Sequence, residues 1–232
     1  MGNNIRSYIR GGIEMAMKNT DKIKCVLLEV AGLGTAIHGM RNPMNSWDKS
    51  DSTEGFDEDD WEWHFTLGAE DEKLAQKLIM AGPEHRKFLR QTYVAFNAVL
   101  PRYVWSEFDT YQFVTKNSCS TMHKLLQKDV PIVLEDFVYD EIEDPLMEAI
   151  VQRLNVFRRL YFNDATPDKN EILRRAKQLL PEGYLQRRTV TTNYEQLRNI
   201  YYQRKNHRLP EWRVICNFIE ELPYANELIL CH

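Results

Sequence analysis

The run TYVAFNAVLP, from Thr92 to Pro101, constrains this chain more than any other stretch. Val94, Phe96, Ala98 and Leu100 alternate along it like a half-buried strand, and Pro101, which has no backbone N–H to donate, stops it. Two more stretches read as extended: KCVLLEVAG, 24–32, as a buried strand, and YLQRRTV, 184–190. The intervening patterns are mostly helical. EDEKLAQKLIM, Glu70–Met80, opens on acidic residues, as a helix N-terminus favours, places Leu74, Leu78 and Ile79 on one side, and ends at Gly82-Pro83. EHRKFLRQ, 84–91, reads as helix or strand; IVQRLNVFRRLYF, 150–162, and DKNEILRRAKQLLP, from about 168 to 180, read as helices. Pro210 suits the first turn of a final helix with an apolar stripe of Trp212, Ile215, Ile219 and Leu222. Residues 5–18 are expected to form a short helix interrupted at Gly11 and Gly12. The polar stretch 41–62, with Asp48, Asp51, Glu54, Asp57, Glu58, Asp59 and Asp60, is expected to be a mobile acidic loop or insertion. The fold class is α+β with more helix than strand.

At 232 residues, with 43% hydrophobic and 28% charged residues, the chain has the composition of a globular protein with a sizeable core. Its net charge of -4 argues against wholesale nucleic-acid binding. No apolar run approaches the roughly 20 residues of a membrane span, so no membrane partner is expected. The opening MGNNIRSYIRGG lacks both a signal peptide's apolar segment and the Ser or Thr of a myristoylation signal, so the expected location is cytoplasmic. Cys25, Cys119, Cys216 and Cys231 lie far apart and are expected to be buried thiols, not disulfides or zinc ligands.

Several familiar chemistries are missing. Gly32-Leu33-Gly34 follows a strand, but the third glycine of a dinucleotide-binding turn would fall at Ile37, so the pair reads as a turn. The six histidines form no HxH or HxxxH pair, and no metal site is expected. The acidic cluster at 57–60 lacks the glycine and spacing of a calcium loop. GxSxG is absent, and Ser118, Cys119, Ser120 and His123 are neighbours in sequence without any implied geometry.

One helix raises a sharper question. In TTNYEQLRNIYYQR, Asn193 sits at an N-cap position with Gln196 three residues on, which fixes the helix start. Leu197, Ile200 and Arg204 then fall in line above Asn193, so the stripe that should face a core carries a guanidinium. A cation in the last turn complements the helix dipole, and its stem can lie along apolar neighbours while its head reaches water. Arg187, Arg188, Asn193, Asn199 and Arg204 are also the polar groups that a buried anionic or amide-rich ligand would use.

Leu180-Pro181, Arg187, Asn193, Leu197, Asn199 and Arg204, followed by Trp212, have a spacing that resembles the C-terminal half of the flavin-dependent thymidylate synthases, the ThyX-like family. His85, Pro101, Asn117 and Ser120 keep that family's order, and TYQFVTKNSCSTMH, Thr110 to His123, lies where the family carries RHRxxSxNxxSxRY. The resemblance spans about 70–125 and 165–225. It implies one ThyX-like domain over 1–232, with an N-terminal extension of about 1–23, the 41–62 insertion, and a mostly antiparallel central sheet packed with helices. It also implies an FAD-dependent methyltransferase that makes dTMP from dUMP by reductive methylation, with NADPH and methylenetetrahydrofolate as co-substrates, in a homotetramer whose sites are assembled between subunits. Arg204 would be the catalytic residue, meeting the uracil ring of the pyrimidine nucleotide; Arg187 would meet its phosphate, and Ser120 and Glu107 would also bind substrate. His85, Thr110, Tyr111, Gln112, Asn117, Asn193 and Asn199 would hold the cofactor.

The departures are as specific as the matches. The family's Arg-His-Arg is Thr110-Tyr111-Gln112 here, its later arginine is Met122, and its glutamine at the uracil is Glu107. Each charged hydrogen bond lost is worth about 1.5–3 kcal/mol. Tyr111, Tyr103 and Trp105 are candidates to stack on a flavin or base in their place. Two alternatives stay open: a non-catalytic nucleotide-binding relative that has lost the flavin, and a nucleic-acid-binding module using the basic and aromatic run from Arg198 to Arg213.

Overall fold

In the computed structural model, which describes residues 9–10, 13–14, 16–59 and 61–232, the TYVAFNAVLP run is a strand in the interior of a sheet. The strands are β1 (Ile9–Arg10), β2 (Ile13–Glu14), β3 (Met17–Lys18), β4 (Lys24–Ala31), β5 (Thr53–Asp57), β6 (Glu62–Thr66), β7 (Tyr93–Pro101), β8 (Thr115–Ser118), β9 (Tyr139–Asp140) and β10 (Leu185–Asn193). The helices are α1 (Leu33–Arg41), α2 (Ala69–Ala81), α3 (Arg102–Phe108), α4 (Thr121–Lys124), α5 (Asp144–Tyr161), α6 (Lys169–Leu179), α7 (Tyr194–Arg204), α8 (Trp212–Glu220) and α9 (Ala225–Leu228). Antiparallel sheets packed with helices make the fold α+β, and the largest sheet has the order β4-β7-β10-β8. In β7, Val94, Phe96, Ala98 and Leu100 are wholly buried and Ala95 nearly so, because the strand has a neighbour on each side. Among the described residues no helix is long and apolar enough to cross a membrane.

The chain divides into two compact units. The first comprises 1–24, 98–110 and 117–188, and the second 25–97, 111–116 and 189–232. The first unit has a core in which Met147, Leu154 and Phe157 of α5 meet Leu173 and Ala176 of α6, with Leu125, Ile132 and Phe137 beside them. Asp168 caps α6 by accepting from the Glu171 N–H at 3.0 Å, which fixes the start the sequence implies. In the second unit α7 starts at Asn193, whose Oδ1 accepts from the Gln196 N–H at 2.9 Å. Its Leu197 and Ile200 are fully buried, as are Trp212, Ile215 and Ile219 of α8.

Five expectations need correction. The helix expected over 5–18 is not formed where that segment is described: Ile9–Arg10 pairs with Ile13–Glu14, and Met17–Lys18 pairs with β9, while the rest of that expectation lies outside the described residues. β4 is a strand but is not buried: Val26, Leu27 and Leu28 are 50%, 40% and 53% exposed, since β4 ends the sheet order. The acidic 41–62 stretch is not an unstructured loop. Two short 3-10 turns, 42–44 and 47–49, lead to an antiparallel β5–β6 hairpin in which Glu54 faces Phe65 and Phe56 faces Trp63. Of the four thiols expected to be buried, Cys216 is buried, Cys25 and Cys231 are half-buried and Cys119 is exposed. A short helix, α9, also follows the one expected to be last.

The acidic stretch has a structural purpose. Both carboxylate oxygens of Asp51 accept from the first turn of α2, from the N–H groups of Glu70 and Asp71 at 3.0 Å each, and those bonds hold the Asp51 carboxyl below its ordinary range. Arg41, at the end of α1, is buried and donates its Nε to Asp71 at 2.5 Å. Between β4 and α1 the chain turns at Gly32, with φ 81; a Cβ there would lie 2.5 Å from the Gln91 carbonyl oxygen, so both conformation and space call for glycine.

Candidate functional site

The residues singled out by sequence fall into two sets, one in each unit. In the first unit, α3 and the chain before β10 are held together by backbone bonds from Arg102 N to Tyr184 O and from Tyr103 N to Glu182 O, both 3.1 Å. Trp105 is fully buried, with its indole N–H on the Gln186 carbonyl at 2.8 Å and the Arg188 guanidinium over its ring at 4.4 Å. It is therefore a strut for the start of β10 and not the stacking surface the sequence suggested. Beyond this strut, the Cys119 N–H donates to the Arg187 carbonyl at 2.9 Å and Gln186 Nε2 donates to the Cys119 carbonyl at 2.8 Å.

These bonds bring Arg187 and Ser120 to one cavity of about 570 Å³. Lys22, Lys24, Cys119, Glu135, Asp136 and Tyr184 also line it. Burial pushes the Tyr184 phenol up to about 12, with Asp136 and Cys119 adding to the shift, so it stays a neutral donor at physiological pH. Sequence reasoning missed Lys22, Lys24 and Gln186; the only signal was a pair of lysines in DKIKC immediately before a strand. Of the remaining first-unit candidates, Asn117 is exposed on β8, Glu107 is half-buried on α3, and exposed Thr110 donates its hydroxyl to the Glu107 carbonyl at 2.7 Å.

In the second unit Arg204 is half-buried, not free in solvent. Its Nε donates to the Tyr111 hydroxyl at 2.8 Å, and that hydroxyl donates to Gln203 Oε1 at 3.0 Å. The guanidinium lies 4.5 Å above the Trp212 ring and 5.5 Å from the Tyr111 ring, and its Nη1 is 2.8 Å from His207 Nε2. Stacking and the phenol hydrogen bond fix both the plane and the direction of the cation. The guanidinium in the apolar stripe of α7 has its local explanation here: the last residue of the stripe rests on an aromatic shelf made by Trp212 of α8 and Tyr111.

Around that cluster Gln112 is exposed and Asn199 half-buried on α7. Asn193 already uses its side-chain oxygen as the α7 cap, and exposed His85 lies in the turn after α2, its N–H on the Gly82 carbonyl at 3.1 Å. Phe113 was missed by sequence. It is 74% exposed at φ 56, and the Thr192 hydroxyl donates to its carbonyl at 3.1 Å. A non-glycine residue held left-handed costs about 1–2 kcal/mol. Arg198, counted in the basic run, is buried, with Nη1 on the carbonyls of Ile229 and Cys231, so it supplies no surface charge. No group of three or more metal-ligating side chains occurs among the described residues.

No family model matches the chain, and no match appears among curated proteins. Solved structures do match. A thymidylate synthase X (ThyX) from Helicobacter pylori, crystallised with FAD and dUMP, aligns with a TM-score of 0.66 at 18% identity, over 89% of this chain and 97% of that one. A second structure of flavin-dependent thymidylate synthase ThyX from Helicobacter pylori, complexed with FAD and dUMP, aligns with a TM-score of 0.66 at 19% identity, over 90% and 99%. The chain has the ThyX fold. The likeness covers about nine-tenths of the chain, while the side chain differs at most aligned positions. The ThyX-like reading of the C-terminal block therefore holds at the level of fold.

Proposed function

We propose that this chain is a ThyX-like enzyme that binds FAD and a pyrimidine deoxynucleotide and carries out the reductive methylation of dUMP or a close relative, with NADPH and methylenetetrahydrofolate as co-substrates. The observation that carries the reading is the match along almost the whole chain to ThyX structures holding FAD and dUMP. Arg187 and Ser120 on one cavity suit a phosphate, because a planar guanidinium and a hydroxyl both donate to phosphate oxygens. Arg204, oriented by Tyr111 and Trp212, would face the uracil ring and stabilise the negative charge that develops on it. The proposed site is completed between subunits of a homotetramer, with Glu107 at the nucleotide.

The fit to FAD is partial. Gln112, Asn117 and Asn199 are amide donors, and His85 a ring N–H donor, suited to the polar edge of a flavin, and exposed Phe113 offers a ring to stack on it. Thr110 and Tyr111 have their hydroxyls engaged within the chain, and neither they nor Gln112 brings a cation for the pyrophosphate. When bound, FAD supplies the hydride. The engaged Tyr111 favours a second reading, a relative that keeps the nucleotide and has lost the flavin.

An absorption spectrum of the purified protein, with and without added FAD, together with dUMP titration, decides between them. Perturbed flavin bands and saturable dUMP binding are expected, and Arg204→Ala should abolish nucleotide binding with the fold intact. Nucleotide binding without flavin selects the second reading; binding of neither overturns both.

A further inference from the structure

Residues 17–22, within the segment expected from sequence to be an extension, are tied into their unit. β3 pairs with β9, Met17 opposite Asp140 and Lys18 opposite Tyr139. Asn19 donates its side-chain amide to the carbonyls of Leu134 at 3.1 Å and Phe137 at 2.9 Å. Its backbone is left-handed, φ 61, a conformation that asparagine adopts more readily than most residues, and it turns the chain into the short 3-10 helix Thr20–Lys22. Lys22 Nζ then donates to the Glu135 carbonyl at 3.2 Å. The consequence is that Lys22 and Lys24 line the same cavity as Arg187 and Ser120.

Among the described residues Lys24 and Arg187 make neither an ion pair nor a side-chain hydrogen bond. Two like charges facing one concavity repel each other, and an anion between them removes that cost. Carboxylates line the cavity as well. Asp136 has one oxygen on the Val133 N–H at 3.0 Å, and Asp21 and Glu135 are exposed. Carboxylates repel bare anions and accept from hydroxyls, so a lining of both signs suits a ligand that carries a phosphate and sugar hydroxyls together.

We infer that Lys24, supported by Lys22, is a phosphate-binding residue of this cavity. The inference rests on the reading of the cavity as the place of the nucleotide phosphate. Cys119, exposed on the cavity wall, is a built-in reporter. Burial pushes Cys25 up to about 12, Cys216 up to about 11 and Cys231 upward, so near neutral pH Cys119 is the thiol that alkylates first.

The experiment compares, by mass spectrometry, the alkylation of Cys119 by anionic iodoacetate and neutral iodoacetamide in the full chain. The iodoacetate-to-iodoacetamide rate ratio should exceed that of free glutathione and fall about two- to threefold for each cavity charge removed, in Lys24→Ala and again in Lys24→Glu, with Lys24→Arg restoring it. Lys73→Glu, on the exposed face of α2, should leave it unchanged. Added dUMP should protect Cys119. A ratio equal to that of glutathione and indifferent to Lys24→Glu overturns the inference, even if dUMP still protects, in which case the nucleotide reading survives without Lys24. A Lys24-dependent ratio with no protection by dUMP keeps the anion site and overturns the nucleotide reading.

Discussion

Arg41, at the end of α1, is 4% exposed and bonded to Asp71, whereas Arg187, on β10, is exposed and makes no ion pair among the described residues. Around Arg41 every requirement of a buried charge is met inside the chain. Asp71, 0% exposed, takes Arg41 Nε on one oxygen and the Ser50 hydroxyl at 2.6 Å, the Asp51 N–H at 3.2 Å and the Ser52 N–H at 3.0 Å on the other. Burial pushes the Asp71 carboxyl up, but hydrogen bonds from Ser50, Ser52 and Arg41 together outweigh it and hold the carboxyl below its ordinary range. Around Arg187 no ion pair or side-chain hydrogen bond is made among the described residues, and a cavity opens beside it. A cation satisfied by its own fold is part of the architecture, and a cation left facing a concave space is available to something else.

The contrast predicts opposite responses to mutation. The largest effect is expected for Asp71→Ala, which strands the buried guanidinium of Arg41 and should cost about 3–5 kcal/mol in urea unfolding; a loss below 1 kcal/mol would erase the distinction. Since the folded carboxyl of Asp71 titrates below its unfolded value of about 3.9, its contribution is fully present above that pH and is lost as pH falls through the folded value. Asp71→Asn should therefore show a flatter stability profile than the parent between about pH 5 and 2. Arg187→Ala should behave in the reverse way: stability within about 0.5 kcal/mol of the parent, and dUMP affinity down about ten- to a hundredfold by calorimetry. Smallest is Phe113→Gly. Release of the left-handed strain should raise the melting free energy by up to about 1 kcal/mol while flavin uptake weakens, and a loss of stability instead would make Phe113 a packing residue.

Legibility of the sequence followed the range of the forces involved. Asn193 announced α7 because its cap bond spans three residues, and Asp168 announced α6 for the same reason. β7 was legible through alternation, but its burial on the second face was not, because that depends on strand order. β4 erred in the opposite direction: three consecutive apolar residues look buried, and only its place at the end of the sheet leaves them exposed. In the acidic stretch the composition of a loop hid a hairpin, since pairing between Thr53 and Thr66 is a matter of register and not of local preference.

The candidate sites show the same limit. Arg187, Ser120 and Arg204 were legible as residues whose spacing resembles a family pattern, and the fold of that family was borne out over most of the chain. Which neighbours they meet was not legible: Tyr111 lies 93 residues from Arg204, and Lys24 reaches the Arg187 cavity from the other end of the sequence. By itself the sequence determined where helices begin, which faces are apolar and which residue types carry charge, because those follow from interactions within a turn or two of backbone. Only the tertiary structure decided which charges are neutralised, which strand is left at an edge and which lysines share a cavity, because desolvation and Coulomb energy depend on distance through space, and the chain sets that distance only once it has folded.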